Sequence, residues 1–148
     1  NMLISAASVA RRWTPLTPLS AMPERAEMER LLDLVGVKGY AERLARELPE
    51  GQRKLVDIAL ALALKPKLLL MDEPTSGVAS SEKLGIMDIL TSALAQEKVT
   101  SVFVEHDMDM VERYASRVAV WSAGKIQKLG PPVEVLKDPA VREHVIGI

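Results

Sequence analysis

Cysteine is absent from the chain, which excludes disulfide frameworks, thiolate nucleophiles and Cys-based zinc sites. Histidine occurs only at His106 and His144, too rarely for a His-rich metal centre. Aromatic residues amount to 3%, so any core must be assembled from Leu, Val, Ile, Ala and Met. No apolar run approaches the roughly 20 residues that span a bilayer, and no basic–apolar–small leader pattern opens the chain. The expectation is a soluble, cytosolic protein. Neither sign of charge is in excess: 19 basic against 20 acidic residues give −1. That balance offers no footprint for nucleic acid and no polybasic membrane anchor. What remains is 148 residues, 48% apolar and 26% charged, enough for one ordinary core. The opening Asn1-Met2-Leu3-Ile4 is already in an apolar helical pattern. It reads either as one residue ahead of an initiator Met2 or as the edge of a longer protein.

The first third of the chain has helical periodicity. Met2 to Trp13 is apolar and includes Arg11-Arg12, and the two prolines of Thr14–Ser20 make that stretch a loop. Pro23 suits a helix start, with Met28, Leu31, Leu32 and Val35 at i, i+3, i+4 and i+7. Glu24, Glu27 and Glu29 complement its N-terminal dipole, and Gly36 stops it. Leu55, Ile58, Ala59 and Leu62 repeat the spacing after Leu48-Pro49-Glu50-Gly51-Gln52. The period then changes. Leu68 to Met71 is a short continuous apolar run that predicts a buried strand. Ser80-Ser81 can cap a long helix striped by Ile86, Ile89, Leu90, Ala93 and Leu94. Thr100–Val104 predicts a second strand, Met108–Ala115 a short helix, and Arg117–Trp121 with Lys125–Leu129 a hairpin about Ser122-Ala123-Gly124. Pro131-Pro132 introduces a short final helix. Helices first, then strand–helix–strand–helix–strand, predict a small helical lobe followed by α/β layers with a partly parallel sheet.

Three segments carry candidate chemistry, each at the end of a predicted element. Asp72 and Glu73 follow a strand directly, at the C-terminal edge where open α/β sheets place ligands. Asp72 could hold a magnesium ion through water, and Glu73 could orient or deprotonate an attacking water. By itself the pair also reads as a solvated acidic turn. His106 follows the second strand and could donate to a phosphate oxygen, or be an ordinary loop histidine. Glu50-Gly51-Gln52 open a helix whose free amides suit an anion, although Pro and Glu are also plain helix starters.

Taken together these segments resemble the C-terminal part of an ATP-binding cassette (ABC) ATPase, over essentially the whole chain. Leu48-Pro-Glu-Gly-Gln52 with Arg53 and Lys54 is similar to that family's LSGGQ signature, and Leu68–Pro74 to its Walker B strand. Ser76-Gly77-Val78-Ala79 falls at its D-loop and His106 at its switch histidine. Val104-Glu-His-Asp-Met108 and Asp138-Pro139 resemble the subfamily serving branched-chain amino-acid uptake. The resemblance implies a helical subdomain over 1–64, then the C-terminal half of a P-loop NTPase (RecA-like) core over 65–148. It implies ATP and magnesium as ligands, with Glu73 and His106 catalytic and Asp72 holding the metal through water. Glu50, Gly51, Gln52 and Asp72 are the implied nucleotide-binding positions. Implied partners are a second ABC ATPase subunit, identical or different, and transmembrane permease subunits docked on the helical subdomain, with no nucleic acid. The implied location is cytoplasmic, peripheral on the inner face of the cell membrane.

The chain departs from this family in several places. It contains no G-x-x-x-x-G-K-[ST] loop to cradle nucleotide phosphates, and Gly124-Lys125 reads as a hairpin turn instead. Asn1 matches a point just downstream of the family's glutamine loop. Pro49 stands where the signature serine belongs, without its hydroxyl or its N–H. Glu50 adds a charge near an expected anion, and Ala79 replaces a D-loop Asp or Asn. The family's strand order would leave a slot between 100–104 and 117–121, so the isolated chain is expected to rearrange or self-associate. Two functions follow: the ATPase subunit of an ABC importer present without its phosphate loop, or a non-catalytic interaction module derived from one. A DNA-repair or ribosomal ABC ATPase is disfavoured by the charge balance. Leu3, Ile4, Trp13 and the Pro15–Leu19 loop are candidates for core or for docking, with Leu3 and Ile4 assigned to the core.

Overall fold

The structure, a computed structural model, describes residues 23–143. The predicted first helix at 2–13, the 14–20 loop and the candidate docking residues among them lie outside the described residues. The chain forms two compact units, one ending at Phe103 and one beginning at Val104. The expected subdomain boundary at 64–65 falls inside the first.

In the first unit, α1 (Arg25–Leu34) buries Met28, Leu31 and Leu32 and pairs its outer charges, Arg25 with Glu29 and Arg30 with Glu27. Its end is a Schellman turn: Gly36, at φ +71°, donates to the Asp33 carbonyl and Val37 to the Leu32 carbonyl. That turn seats Val35 and Val37 in the core. Single 3₁₀ turns at Lys38–Tyr40 and Ala45–Glu47 lead to α2 (Glu50–Ala63), which packs on α1 and on α3 (Ser80–Gln96). Buried Ile86, Met87, Leu90, Ala93 and Leu94 form the core stripe of α3, with Ile89 half-buried beside them. Its N-cap is Ala79, which offers no side-chain hydrogen bond, so Ser80 and Ser81 lie inside the helix rather than capping it. Arg30 reaches across to Glu97 at 2.8 Å and ties α1 to the end of α3. The hydrogen bonds that this guanidinium donates, first to Glu27 and then to Glu97, hold it still further toward its charged form.

Strands β1 (Leu68–Asp72) and β2 (Thr100–Val104) form a two-stranded sheet. The Thr100 amide donates to the Lys67 carbonyl, so the two strand starts lie together. With α3 as the crossover, the pair runs parallel. Only one of its faces turns inward. Leu68 (52%), Leu70 (69%), Val102 (52%) and Val104 (61%) share the outer face and are exposed, which corrects the expectation of a strand buried on both sides. The apolar run asks for cover on two faces, and the described residues supply it on one.

In the second unit, α4 (Met108–Tyr114) is capped by Asp107, whose carboxylate accepts from the amides of Asp109 and Met110. Strands β3 (Val118–Ser122) and β4 (Lys125–Gly130) form an antiparallel hairpin. Its turn residues Ala123 and Gly124 both have positive φ, the geometry that matches strand twist in a two-residue loop. Val120 packs with Val135 of α5 (Pro132–Leu136) and with Val141 of the single turn α6 (Pro139–Val141). Asp138 caps α6 and pairs with Lys128 of β4. Trp121, Ile126 and Leu129 are exposed. The strands thus make two separate two-stranded sheets.

Leu90 is fully buried, so Leu90→Ala should lower unfolding stability by about 2–5 kcal/mol in urea titration. Leu70→Ala, at an exposed position, should change it by no more than about 0.5 kcal/mol. A cost for Leu70 as large as for Leu90 would show that the outer sheet face is covered in solution. The Lys128 hydrogen bond, helped by the Ala140 and Val141 amides, holds the Asp138 carboxyl below its usual range. Its stabilising contribution is therefore present above the unfolded value near pH ~3.9 and is lost as pH falls through the lower folded value. Amide exchange at Ala140 and Val141 should show this loss on acidification, and Asp138→Asn should remove the dependence.

Candidate functional site

The turn after β1 is built from alternating constraint and freedom. Asp72 ends the strand and is exposed, while Glu73 is half-buried with φ +44°, a left-handed conformation uncommon outside glycine. Such a backbone persists only when its surroundings over-determine it. Here Pro74 and Thr75 are both buried behind it, Thr75 at 1% exposure. The Ser76 amide donates to the Glu73 carbonyl at 2.9 Å, and the Val78 amide to that of Thr75. Val78 is itself buried and anchors the far end. Sequence reasoning singled out the carboxylates and passed over Thr75. A Thr between a buried proline and a Ser-Gly turn was the available signal.

The start of α2 lies against this turn. Pro49 is the N-cap, with ψ 154°, and its carbonyl accepts from the Arg53 amide at 3.0 Å. No side chain caps the helix. Glu50 bonds Arg53 at 2.9 Å, which offsets its charge locally. A Cβ on Gly77 would sit 3.5 Å from Glu50 Cγ, so Glu50 lies over that glycine. Gly51 is buried, and a Cβ there would come within 2.7 Å of Ile86 Cδ1. Its small size serves helix packing. Gln52 is half-buried one position on.

The structure therefore sets Glu50 over Gly77, in the loop that follows Asp72 and Glu73, and packs Gly51 against Ile86, all within the first unit. His106 belongs to the second unit, in the three-residue link between β2 and α4, where it is exposed. Among the described residues no group of three His, Asp or Glu is placed to hold a metal ion. Asp72, a single exposed carboxylate at a strand end, fits a magnesium ion that keeps most of its water. The chain supplies no cradle for phosphates, because no glycine-rich lysine loop occurs in it.

Residues 2–76 match the ABC transporter family. The chain belongs to that family. Methionine import ATP-binding protein MetN 2 of Lactiplantibacillus plantarum is 40% identical over 121 residues, 82% of this chain and 35% of that protein. Sulfate/thiosulfate import ATP-binding protein CysA of Bradyrhizobium diazoefficiens is 37% identical over 116 residues, 78% of this chain and 34% of that one. The ABC chain thus spans about a third of the length of these relatives. A crystal structure of the ADP conformation of an ATP-binding cassette of an ABC transporter superposes on it with a TM-score of 0.79 at 29% identity. The superposition covers 99% of the ABC chain and 62% of the solved one, so the architecture is that of a P-loop NTPase cassette. Among the described residues no helix is long and apolar enough to cross a membrane.

Gly77 has φ +77°, so Gly77→Ala should cost about 1–2 kcal/mol, chiefly from the left-handed backbone and not from contact with Glu50. The check is urea titration with and without Glu50→Ala. If Glu50→Ala rescues most of the loss, the contact is the cause and the backbone explanation is wrong.

Proposed function

We propose that the chain is the C-terminal part of an ATP-hydrolysing subunit of an ABC importer, comprising its helical subdomain and the second half of its catalytic core. The observation that carries this reading is the Asp72-Glu73 turn, held in a left-handed conformation at the C-terminal edge of β1 with the start of α2 packed beside it. In this role Asp72 holds magnesium through water, and Glu73 orients the attacking water and takes its proton. His106 donates to a phosphate oxygen as charge develops there. Magnesium, when bound, neutralises phosphate charge. The first turn of α2 presents its amides, from Glu50 to Gln52, to nucleotide held by a second ABC ATPase subunit. The phosphate loop itself must come from polypeptide outside these residues. Partners under this reading are that second subunit and permease subunits at the helical subdomain, with the ATPase peripheral on the inner membrane face.

The imported solute is read as an amino acid, in keeping with the methionine import protein among the relatives. Branched-chain amino acids are the narrower choice and rest on the Val104–Met108 and Asp138-Pro139 resemblance alone. A second reading, a non-catalytic interaction module, is favoured by the signature loop. Pro49 brings neither hydroxyl nor N–H, Glu50 occupies the loop with an Arg53 pair, and Ala79 begins α3 without a polar side chain.

The two readings separate in a turnover assay with magnesium and ATP. The 148-residue chain alone should be inactive, and turnover should appear when a polypeptide bearing the phosphate-loop half of an ABC ATPase is added. Glu73→Gln should then cut turnover by at least about 100-fold while bound nucleotide is unchanged. Wild-type turnover in that variant would remove Glu73 from its role. Complementation without any turnover would favour the interaction module.

A further inference from the structure

Two helices of the second unit begin on an aspartate whose side chain caps them, α4 on Asp107 and α6 on Asp138. In the first unit α1, α2 and α3 have no such side-chain bond at their starts. The cap on α4 lies directly after His106. Asp107 is extended, at φ −83° and ψ 105°, and its Oδ1 accepts from the amides of Asp109 at 3.2 Å and Met110 at 3.4 Å. Its carbonyl accepts from the Val111 amide at 3.1 Å. One residue therefore closes the opening turn of α4 twice, through its side chain and through its backbone.

With seven residues, α4 is too short to persist by helical propensity. Met110 and Val111, both buried, tie its opening turn to the second unit, where it packs on α5. The cap keeps those two side chains at the start of a formed helix. His106 stands one residue before this fixed point and two residues after the end of β2. It is exposed, so its backbone, more than a surrounding core, decides where the imidazole stands. If the cap opens, the Asp109 and Met110 amides lose their acceptor. The constrained part of the chain then retreats from Asp107 to the buried pair.

We propose that Asp107 is a positioning residue for His106: by capping α4 it fixes the peptide that follows the histidine, and so the direction in which the imidazole is presented. Because the role of His106 comes from the ATPase reading, this assignment rests on that reading. Asp107 itself needs no contact with nucleotide. Its contribution is cap geometry and not charge, and substitution separates the two. Asn and Ser cap about as well as Asp without its charge, and Ala caps poorly. Glu keeps the charge on a side chain one methylene longer.

The test has two arms, both on the full 148-residue chain. In the first, NMR relaxation and amide exchange are measured on the chain alone. Asp107→Ala should speed exchange at Asp109 and Met110 about three- to tenfold and lower the backbone order parameter of His106. Asp107→Asn and Asp107→Ser should keep both at wild-type values, and Asp107→Glu should not. Asp138→Ala, which uncaps α6 in the same unit, should leave His106 as it is. In the second arm, turnover is measured with the added phosphate-loop half. Asp107→Ala should lower kcat about tenfold while KM for ATP stays within about twofold. Asp107→Asn and Asp138→Ala should turn over at the wild-type rate. In a His106→Ala background, Asp107→Ala should cost nothing further. An unchanged His106 order parameter in Asp107→Ala, an Asn variant as slow as the Ala variant, or an undiminished loss in the His106→Ala background would each overturn the proposal. Absence of turnover in every mixture, wild type included, counts against the ATPase reading, and the first arm then decides the cap by itself.

Discussion

The close approach of α2 to α3 governs the first unit. Gly51 leaves room for Ile86, whose Cδ1 would lie only 2.7 Å from a Cβ at that position. Because the first turn of α2 sits this deep, Glu50 comes to rest over Gly77 and the signature-like loop meets the turn that carries Glu73. Leu55, Ile58, Ala59 and Leu62 then pack behind it, and α1 closes the other side through Met28, Leu31 and Leu32. A larger residue at 51 would push the start of α2 away from Ile86 and so move Glu50 relative to Gly77. Glycine here is a packing requirement, although in the sequence it looked like part of an anion-binding helix start.

Glu50 illustrates how context changes the meaning of a charge. In the sequence it stands beside an expected anion and looks unfavourable. In the structure its carboxylate is drawn to Arg53, and its aliphatic stem covers Gly77. An exposed pair of this kind contributes little to stability. Its consequence is geometric, since it occupies the space over Gly77. Pro49 reinforces that geometry by fixing the entry to α2 with φ −53° while donating nothing.

The sheets depart most from the sequence expectation. Leu68 to Met71 carries apolar residues on both faces, the pattern of a strand covered from two sides. One side is covered, and Leu70 stands 69% exposed on the other. Trp121 and Ile126, paired across the β3–β4 hairpin, are exposed in the same way. The apolar pattern records a burial that residues 23–143 do not by themselves provide.

By itself the sequence determined the elements, because periodicity and punctuation are local. The 28–31–32–35 and 55–58–59–62 spacings, Gly36 at the end of α1 and Ala123-Gly124 in the hairpin each act within a few residues. It also singled out Asp72, Glu73 and His106 as candidates for chemistry, from their places at strand ends. Tertiary structure decided which of these meet. Gly51 against Ile86, Glu50 over Gly77 and Arg30 across to Glu97 join positions up to 67 residues apart. No local spacing encodes such pairs. Burial of Thr75 and exposure of Leu70 belong to the same class: an apolar or polar side chain has a preference for cover, but what covers it is set by the rest of the fold.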